Sequence, residues 1–182
     1  MTSYHDVLTA DLTANGFSAW TWREVVSPTS RCRIMRYQRR LRRLEHLQGR
    51  SGLAARLHQS VLWRIHLRVA AGLGFSIPLG TCGPGLSIAH YGAVVINSGA
   101  RIGAGCRIHP GVVVGTSDAG TPVIGERCYL GAGAKIYGAV TVGDEVVVAP
   151  NAVVNRDVPA NAVVGGVPAR VLRSDVDYRW RD

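Results

Sequence analysis

Between Ile96 and Val154 an aliphatic side chain returns at every sixth residue, and this spacing constrains the fold more than any other property of the chain. The positions are Ile96, Ile102, Ile108 and Val114, then, after one four-residue interruption, Ile124, Leu130, Ile136, Val142, Val148 and Val154. An α-helix repeats its apolar face every 3.6 residues and a half-buried strand every two, so neither sustains a period of six. A hexapeptide period reads instead as a parallel β-helix. Three short hexads close one triangular coil, and a coil alone buries so little that several must stack. From Ile77 to Pro168 there is room for about five coils of roughly 18 residues.

The residues between the anchors support this reading. Four positions after an anchor stands a second small or medium side chain: Ala100, Cys106, Val112, Cys128, Ala134, Val140, Val146, Ala152 and Val158. These are expected to complete each layer of a narrow core. The residue directly after an anchor is often small or turn-prone, as at Asn97, Gly103, Gly115, Gly125, Gly131 and Gly143. Glycine and asparagine tolerate positive φ, so these positions are expected to make the tight corners.

Residues 1–74 carry no hexad. Leu41, Leu44 and Leu47, then Leu57, Val61, Leu62, Ile65 and Val69, recur mostly at spacings of three and four, which predicts helices. Pro28 and the Gly49-Arg50-Ser51-Gly52 stretch divide them into three. This segment holds 12 Arg against 4 acids, whereas residues 75–182 hold 9 basic and 8 acidic residues. Three readings of the excess are open. It is a solvated face with acidic partners on a neighbouring subunit, an attractor of anionic substrates, coenzyme A or an anionic membrane surface, or a nucleic-acid site. No helix-turn-helix, zinc finger or aromatic-basic sheet motif supports the last, and no nucleic-acid partner is expected.

The apolar run at 61–74 is broken by Arg64, His66 and Arg68, so no transmembrane span is expected. The first 13 residues lack the basic-then-apolar order of a signal peptide. Cys32, Cys82, Cys106 and Cys128 form no CxxC pair, and Cys106 and Cys128 fall at inward positions. Small buried thiols and a cytoplasmic location are the expectation.

A regular coil is smooth, so chemistry is sought where the register breaks. One break lies at 86–95 and the other is the loop 115–123, GTSDAGTPV. His90 sits in the first, and imidazole is the usual general base near neutral pH. His109 follows an anchor and precedes Pro110, a corner where side chains point outward. It lies 19 residues after His90, about one coil, so the two can approach each other. A catalytic zinc generally needs three protein ligands, and the coil holds two His; no metal is expected. No G-x-S-x-G elbow or P-loop is present.

The segment LSIAHYGAVVI at 86–96 resembles the catalytic segment of serine acetyltransferases. LGAGAKI at 130–136 and GGVPARV at 165–171 are similar to two further signatures of that family. The match runs from Phe75 to Val114 and resumes from Pro122 to Val171; the shorter N-terminal part is closer to acetyltransferase-like proteins of polysaccharide loci. The resemblance implies a mainly β fold, a left-handed parallel β-helix at 75–171 with an N-terminal helical segment at 1–74 and a tail at 172–182. It implies a homotrimer with sites between subunits, acetyl-CoA as co-substrate, and His90 as general base in direct transfer. By the same resemblance, Thr116 and Ala132 match positions whose backbone contacts the pantetheine arm. Ser117, Asp118 and Thr121 are the candidates in the acceptor loop.

The departures from the family bear on the acceptor. Phe75 stands where an Asp orients the catalytic His, and Ala89 where an Asp meets the ammonium of serine. Gly120 and Thr121 align with the Arg-His pair that meets the serine carboxylate. A backbone carbonyl, His109 or an acid of the N-terminal helices remain as orienters of His90. A small-molecule or glycan hydroxyl, on a sugar, polysaccharide precursor or other metabolite, is therefore expected in preference to free serine. The alternatives are a true serine O-acetyltransferase, a transferase with another acyl donor or an amine acceptor, and a non-catalytic trimeric scaffold. The tail at 177–182 differs from the Ile-ended tail with which serine acetyltransferases dock cysteine synthase, so no such complex is expected.

Overall fold

A computed structural model describes residues 3–174. Four helices lead the chain: α1 (Tyr4–Ala14), α2 (Trp22–Val26), α3 (Ser30–Leu47) and α4 (Leu53–Leu73). The sequence pattern gives three. The extra one is α2, a single short helix closed by a capping box between Thr21 and Glu24 after the chain turns at Gly16. None of the helices is long and apolar enough to cross a membrane.

The rest is a solenoid of short strands on three parallel faces. The first face stacks β1 (Phe75–Ser76), β3 (Val94–Ile96), β6 (Val113–Gly115), β9 (Lys135–Tyr137) and β12 (Val153–Val154). The second stacks β4 (Arg101–Ile102), β7 (Val123–Ile124) and β10 (Thr141–Val142), extended by single bridges at Cys82 and Val158. The third stacks β2 (Ser87–Ile88), β5 (Arg107–Ile108), β8 (Tyr129–Leu130), β11 (Val147–Val148) and β13 (Val163–Gly166). This is a left-handed parallel β-helix of about five turns. Val113 pairs with Lys135 and Arg107 with Tyr129, each 22 residues on, whereas Lys135 pairs with Val153 after 18. The four extra residues are those of the loop between β6 and β7.

Every six-residue anchor and every companion four positions later is buried, from Ala100 at 0% exposure to Val158 at 7%. Removing a Val, Leu or Ile side chain from water contributes about 1.5–3 kcal/mol, so the continuous inner column is the main stabilising term. Cys106 and Cys128 lie in that column as free thiols, each near a carbonyl of the next coil, Gly125 and Gly143, at 3.2 Å. Their mutual hydrogen bond and burial push the Cys106 thiol well up, and burial pushes Cys82 up to about 11.

The glycines after the anchors serve a purpose other than the expected one. Positive φ falls two residues later, at Gly105, Gly111, Arg127, Gly133, Glu145 and Asn151. Gly103 and Gly143 are glycine because the next coil lies against them. An added Cβ would stand 2.5 Å from the carbonyl oxygen of Gly125 and from the nitrogen of Ala160, respectively.

A solenoid end exposes unpaired backbone and must be covered. Here α1 and α3 cover the first coil. The Asp11 carboxylate accepts from the amides of Gly85 (2.8 Å) and Leu86 (3.0 Å), and Gln38 and Asn15 donate to the Leu86 carbonyl. Arg42 pairs with Asp11 at 2.8 Å and donates to the carbonyls of Cys82 and Gly83. Burial opposes the Arg42 charge, but Asp11 and Glu45 outweigh it and hold the guanidinium protonated. At the other end β14 (Ala169–Arg173) folds back antiparallel on β13. The tail residues 177–182, on which the expectation about cysteine synthase rests, lie outside the described residues.

Candidate active site

The corner that carries His90 is longer than its counterparts. Eight residues separate Ile88 from Ile96, where six separate Ile108 from Val114. The surplus chain folds toward the end of α4: Gly92 donates to the Leu73 carbonyl at 2.9 Å and packs against Gly74, the left-handed C-cap of that helix. His90 is thereby lifted off the smooth edge of the coil and is exposed.

Beside it opens a cavity of about 280 Å³ lined by Asn15, Ser30, Arg31, Ser87, Ile88, Ala89, His90 and Arg107. Asn15, Ser30 and Arg31 come from the helices, the others from the third face. Arg31 is fixed by donating to the Asn15 carbonyl (Nε at 2.8 Å) and by lying 4.5 Å over the Phe17 ring. Ser87 is buried and accepts from Arg107 at 3.2 Å. Among the described residues, two guanidinium groups and no carboxylate line the cavity. The sequence reading missed Asn15, Ser30, Arg31, Ser87 and Arg107. Arg31 was visible as part of the Arg-rich run, but no spacing links that run to the coil.

Phe75 is buried in the core, edge-on to Tyr37 at 5.1 Å, and does not reach His90. The four acids of the N-terminal segment are also committed elsewhere. Asp6 and Glu24 cap helices, Asp11 holds Arg42 and the first coil, and Glu45 holds Arg42 and the Gly80 amide. None of them orients His90. Among the described residues His90 has no hydrogen-bond partner within its own chain.

His109 occupies the same edge one coil on. It is half-buried and packs on Tyr129 at 4.8 Å between ring centroids, rather than pointing freely outward. The reason is the stacking of coils, which brings the Tyr129 ring alongside. Its Nε2 is buried with no partner, and burial, then Arg107, then His90 lower its pKa. The two histidines are thus close enough to feel each other.

Ala132 lies exposed on this edge too, between β8 and β9. Thr116 does not: it leaves β6 at the opposite end of the first face. The loop after it closes on itself, Ser117 and Gly120 exchanging backbone hydrogen bonds at 3.0 Å. Thr116 Oγ1 donates to the Gly120 carbonyl, Ser117 Oγ accepts from the Ala119 amide, and Thr121 Oγ1 donates to the Gly99 carbonyl. Asp118, at the exposed tip, makes no side-chain hydrogen bond among the described residues. Within one chain, therefore, His90, His109 and Ala132 share an edge, while Thr116, Ser117, Asp118 and Thr121 lie on the next.

The solenoid is built on a six-residue period, and the bacterial transferase hexapeptide (six repeats) family matches residues 121–156. The chain is 34% identical over 142 residues to serine acetyltransferase 2 of Arabidopsis thaliana, covering 70% of this chain and 44% of that protein. It thus spans less than half the length of that relative. The serine acetyltransferase of Brucella abortus strain S19 superposes with a TM-score of 0.70 at 24% identity, covering 94% of this chain and 69% of that one. A serine acetyltransferase in complex with CoA gives 0.70 at 22% identity, covering 93% and 70%. The chain is thus similar in sequence to a serine acetyltransferase over 142 residues and shares the fold of the solved serine acetyltransferases.

Proposed function

We propose that the chain is an acetyl-CoA-dependent O-acetyltransferase that uses His90 as general base. The observation that carries this is the composition of the cavity: His90 supplies the one imidazole among its lining side chains, and imidazole is the usual general base. In this reading His90 removes the proton of an acceptor hydroxyl. The freed oxygen attacks the thioester carbonyl, the carbon–sulfur bond breaks, and the coenzyme A thiolate leaves and recovers the proton. The transfer is direct in this reading, because the thiols are buried and Ser87 of the cavity is hydrogen-bonded to Arg107 and not to a base. Thr116 and Ala132 meet the pantetheine arm through their backbone. Their position on different edges supports a homotrimer in which the edges of two chains face each other across each site.

The acceptor is a hydroxyl on a sugar, polysaccharide precursor or related metabolite. The ammonium of free serine would enter a cavity with Arg31 and Arg107 and no carboxylate, and Ala89 offers it no partner. Charge-assisted hydrogen bonds contribute roughly 1.5–3 kcal/mol each, so their loss weakens free serine strongly. The second reading is serine itself, favoured by the identity to the Arabidopsis enzyme. Steady-state assays with acetyl-CoA against L-serine and against a panel of sugars separate the two. Faster turnover on sugars, falling about 10²–10⁴-fold in His90→Ala, is expected. Turnover on L-serine that exceeds every sugar would overturn the acceptor assignment. Undiminished transfer by His90→Ala would remove His90 from the mechanism.

A further inference from the structure

A second cavity lies on the helical part, lined by different residues from the His90 site. It measures about 330 Å³ and is bounded by Arg33, Arg36, Arg40 and Arg68, with Val69 and Gly72. Arg33, Arg36 and Arg40 share one face of α3, and Arg68 meets them from α4. Like charges three and four residues apart destabilise a helix, so this arrangement carries an energetic cost in the empty protein.

Among the described residues nothing offsets it. The four acids of the N-terminal segment are committed elsewhere, and no carboxylate lines the cavity. Arg36 is pinned by donating from Nη1 to the carbonyls of Glu24 (3.2 Å), Val25 and Ser27 (2.8 Å each). Arg40 is not satisfied: its Nη1 is buried with no hydrogen-bond partner among the described residues. Burial first, and then Arg36, act against its charge. A buried charged donor without a partner is costly and marks a place for an absent acceptor. Guanidinium groups match the oxygens of a phosphate in pairs, and four of them around one cavity suit a dianion or trianion better than a carboxylate.

We propose that the cavity between α3 and α4 is a phosphate-binding site, taking a phosphomonoester or pyrophosphate group through Arg33, Arg40 and Arg68, with Arg36 held in place by the end of α2. Two sources supply that chemistry. One is a soluble phosphorylated metabolite. The other is a lipid headgroup, for which the exposed Val61 and Ile65 of α4 offer an apolar flank.

The test uses the full chain in low salt. Calorimetric titration with inorganic pyrophosphate is compared among wild type, Arg33→Gln/Arg40→Gln, and Arg43→Gln/Arg56→Gln. The last pair removes the same net charge from exposed positions outside the cavity. Co-sedimentation with phosphatidylcholine vesicles, with and without phosphatidic acid, is run on the same proteins. We expect the cavity pair to weaken binding by about tenfold or more and the control pair to leave it little changed. Loss of the pyrophosphate signal assigns a soluble ligand, and loss confined to phosphatidic acid vesicles assigns a headgroup. Arg40→Gln alone is expected to raise the thermal midpoint of the ligand-free protein, since it relieves repulsion. Failure of wild type to bind either probe, or equal weakening by both pairs, overturns the proposal. So does a cavity pair that binds normally but no longer forms the wild-type oligomer, because the cavity would then receive a side chain of another copy.

Discussion

Gly103 and Gly105 stand two residues apart in one corner and are glycine for different reasons. Gly105 has φ +69°, a conformation that Arg127 and Glu145 adopt at equivalent places in later coils. Gly103 has ordinary φ but no room, with the Gly125 carbonyl 2.5 Å from where a Cβ would be. Gly103→Ala is therefore expected to destabilise by about 1–3 kcal/mol, as overpacking does. Gly105→Asn should cost less, and thermal unfolding of the two variants compares them. His66 gives a residue-scale pH prediction. It is buried between Tyr37 and Trp63, and burial, then Arg40, lower its pKa to about 4. The unfolded chain binds the proton near pH 6.5, so between these values it holds more protons than the native state. The stability is complete above about 6.5 and is lost as the pH falls toward 4, by on the order of 2 kcal/mol. His66→Phe should flatten that part of the curve of unfolding midpoint against pH. An unchanged slope would mean that His66 is protonated in the fold.

The helices and the coil share an apolar core, with Ile34, Tyr37 and Leu41 joining Phe75 and Leu86, and are also joined by a buried polar contact. Asp11 of α1 and Arg42 of α3 form a buried pair whose remaining hydrogen bonds go to the backbone of the first coil. Breaking such a pair leaves a buried charge without its partner and costs about 3–5 kcal/mol. Asp11→Ala is expected to lower the denaturant midpoint by that order. It should also expose the amides of Gly85 and Leu86 to hydrogen exchange before those of β8 or β11. Uniform loss of protection along the solenoid would show that α1 and α3 do not act as a local cap. Asp11 could not be singled out from the sequence, because nothing in the pattern of α1 separates it from Asp6, which only caps the helix.

At the scale of the molecule, the solenoid is closed at its first coil by helices and at its last by β14, while its flanks stay open. The outer side of α4 presents Leu53, Leu57 and Val61 at 55–76% exposure, and the first face presents Val95 and Tyr137. An open flank of this kind, together with the separation of Thr116 from His90, leads to the expectation of three chains in solution. Sedimentation equilibrium should give three times the 19.5 kDa chain mass. A monomer that still transfers acetyl groups would place the whole site within one chain.

The period of six determined the coil, its inward residues and the position of the one loop, because an inner column of stacked side chains writes itself directly into spacing. His90 was marked in the same way, by a break in the period. The glycine roles, the Asp11–Arg42 cap, the meeting of Arg31 and Arg107 at the cavity beside His90 and the Arg33–Arg40–Arg68 cavity were decided by tertiary structure alone. Each joins segments that are distant in sequence or lie on different elements. Charge and steric exclusion act across space, and a one-dimensional pattern records only the part of that space that the chain revisits at a fixed interval.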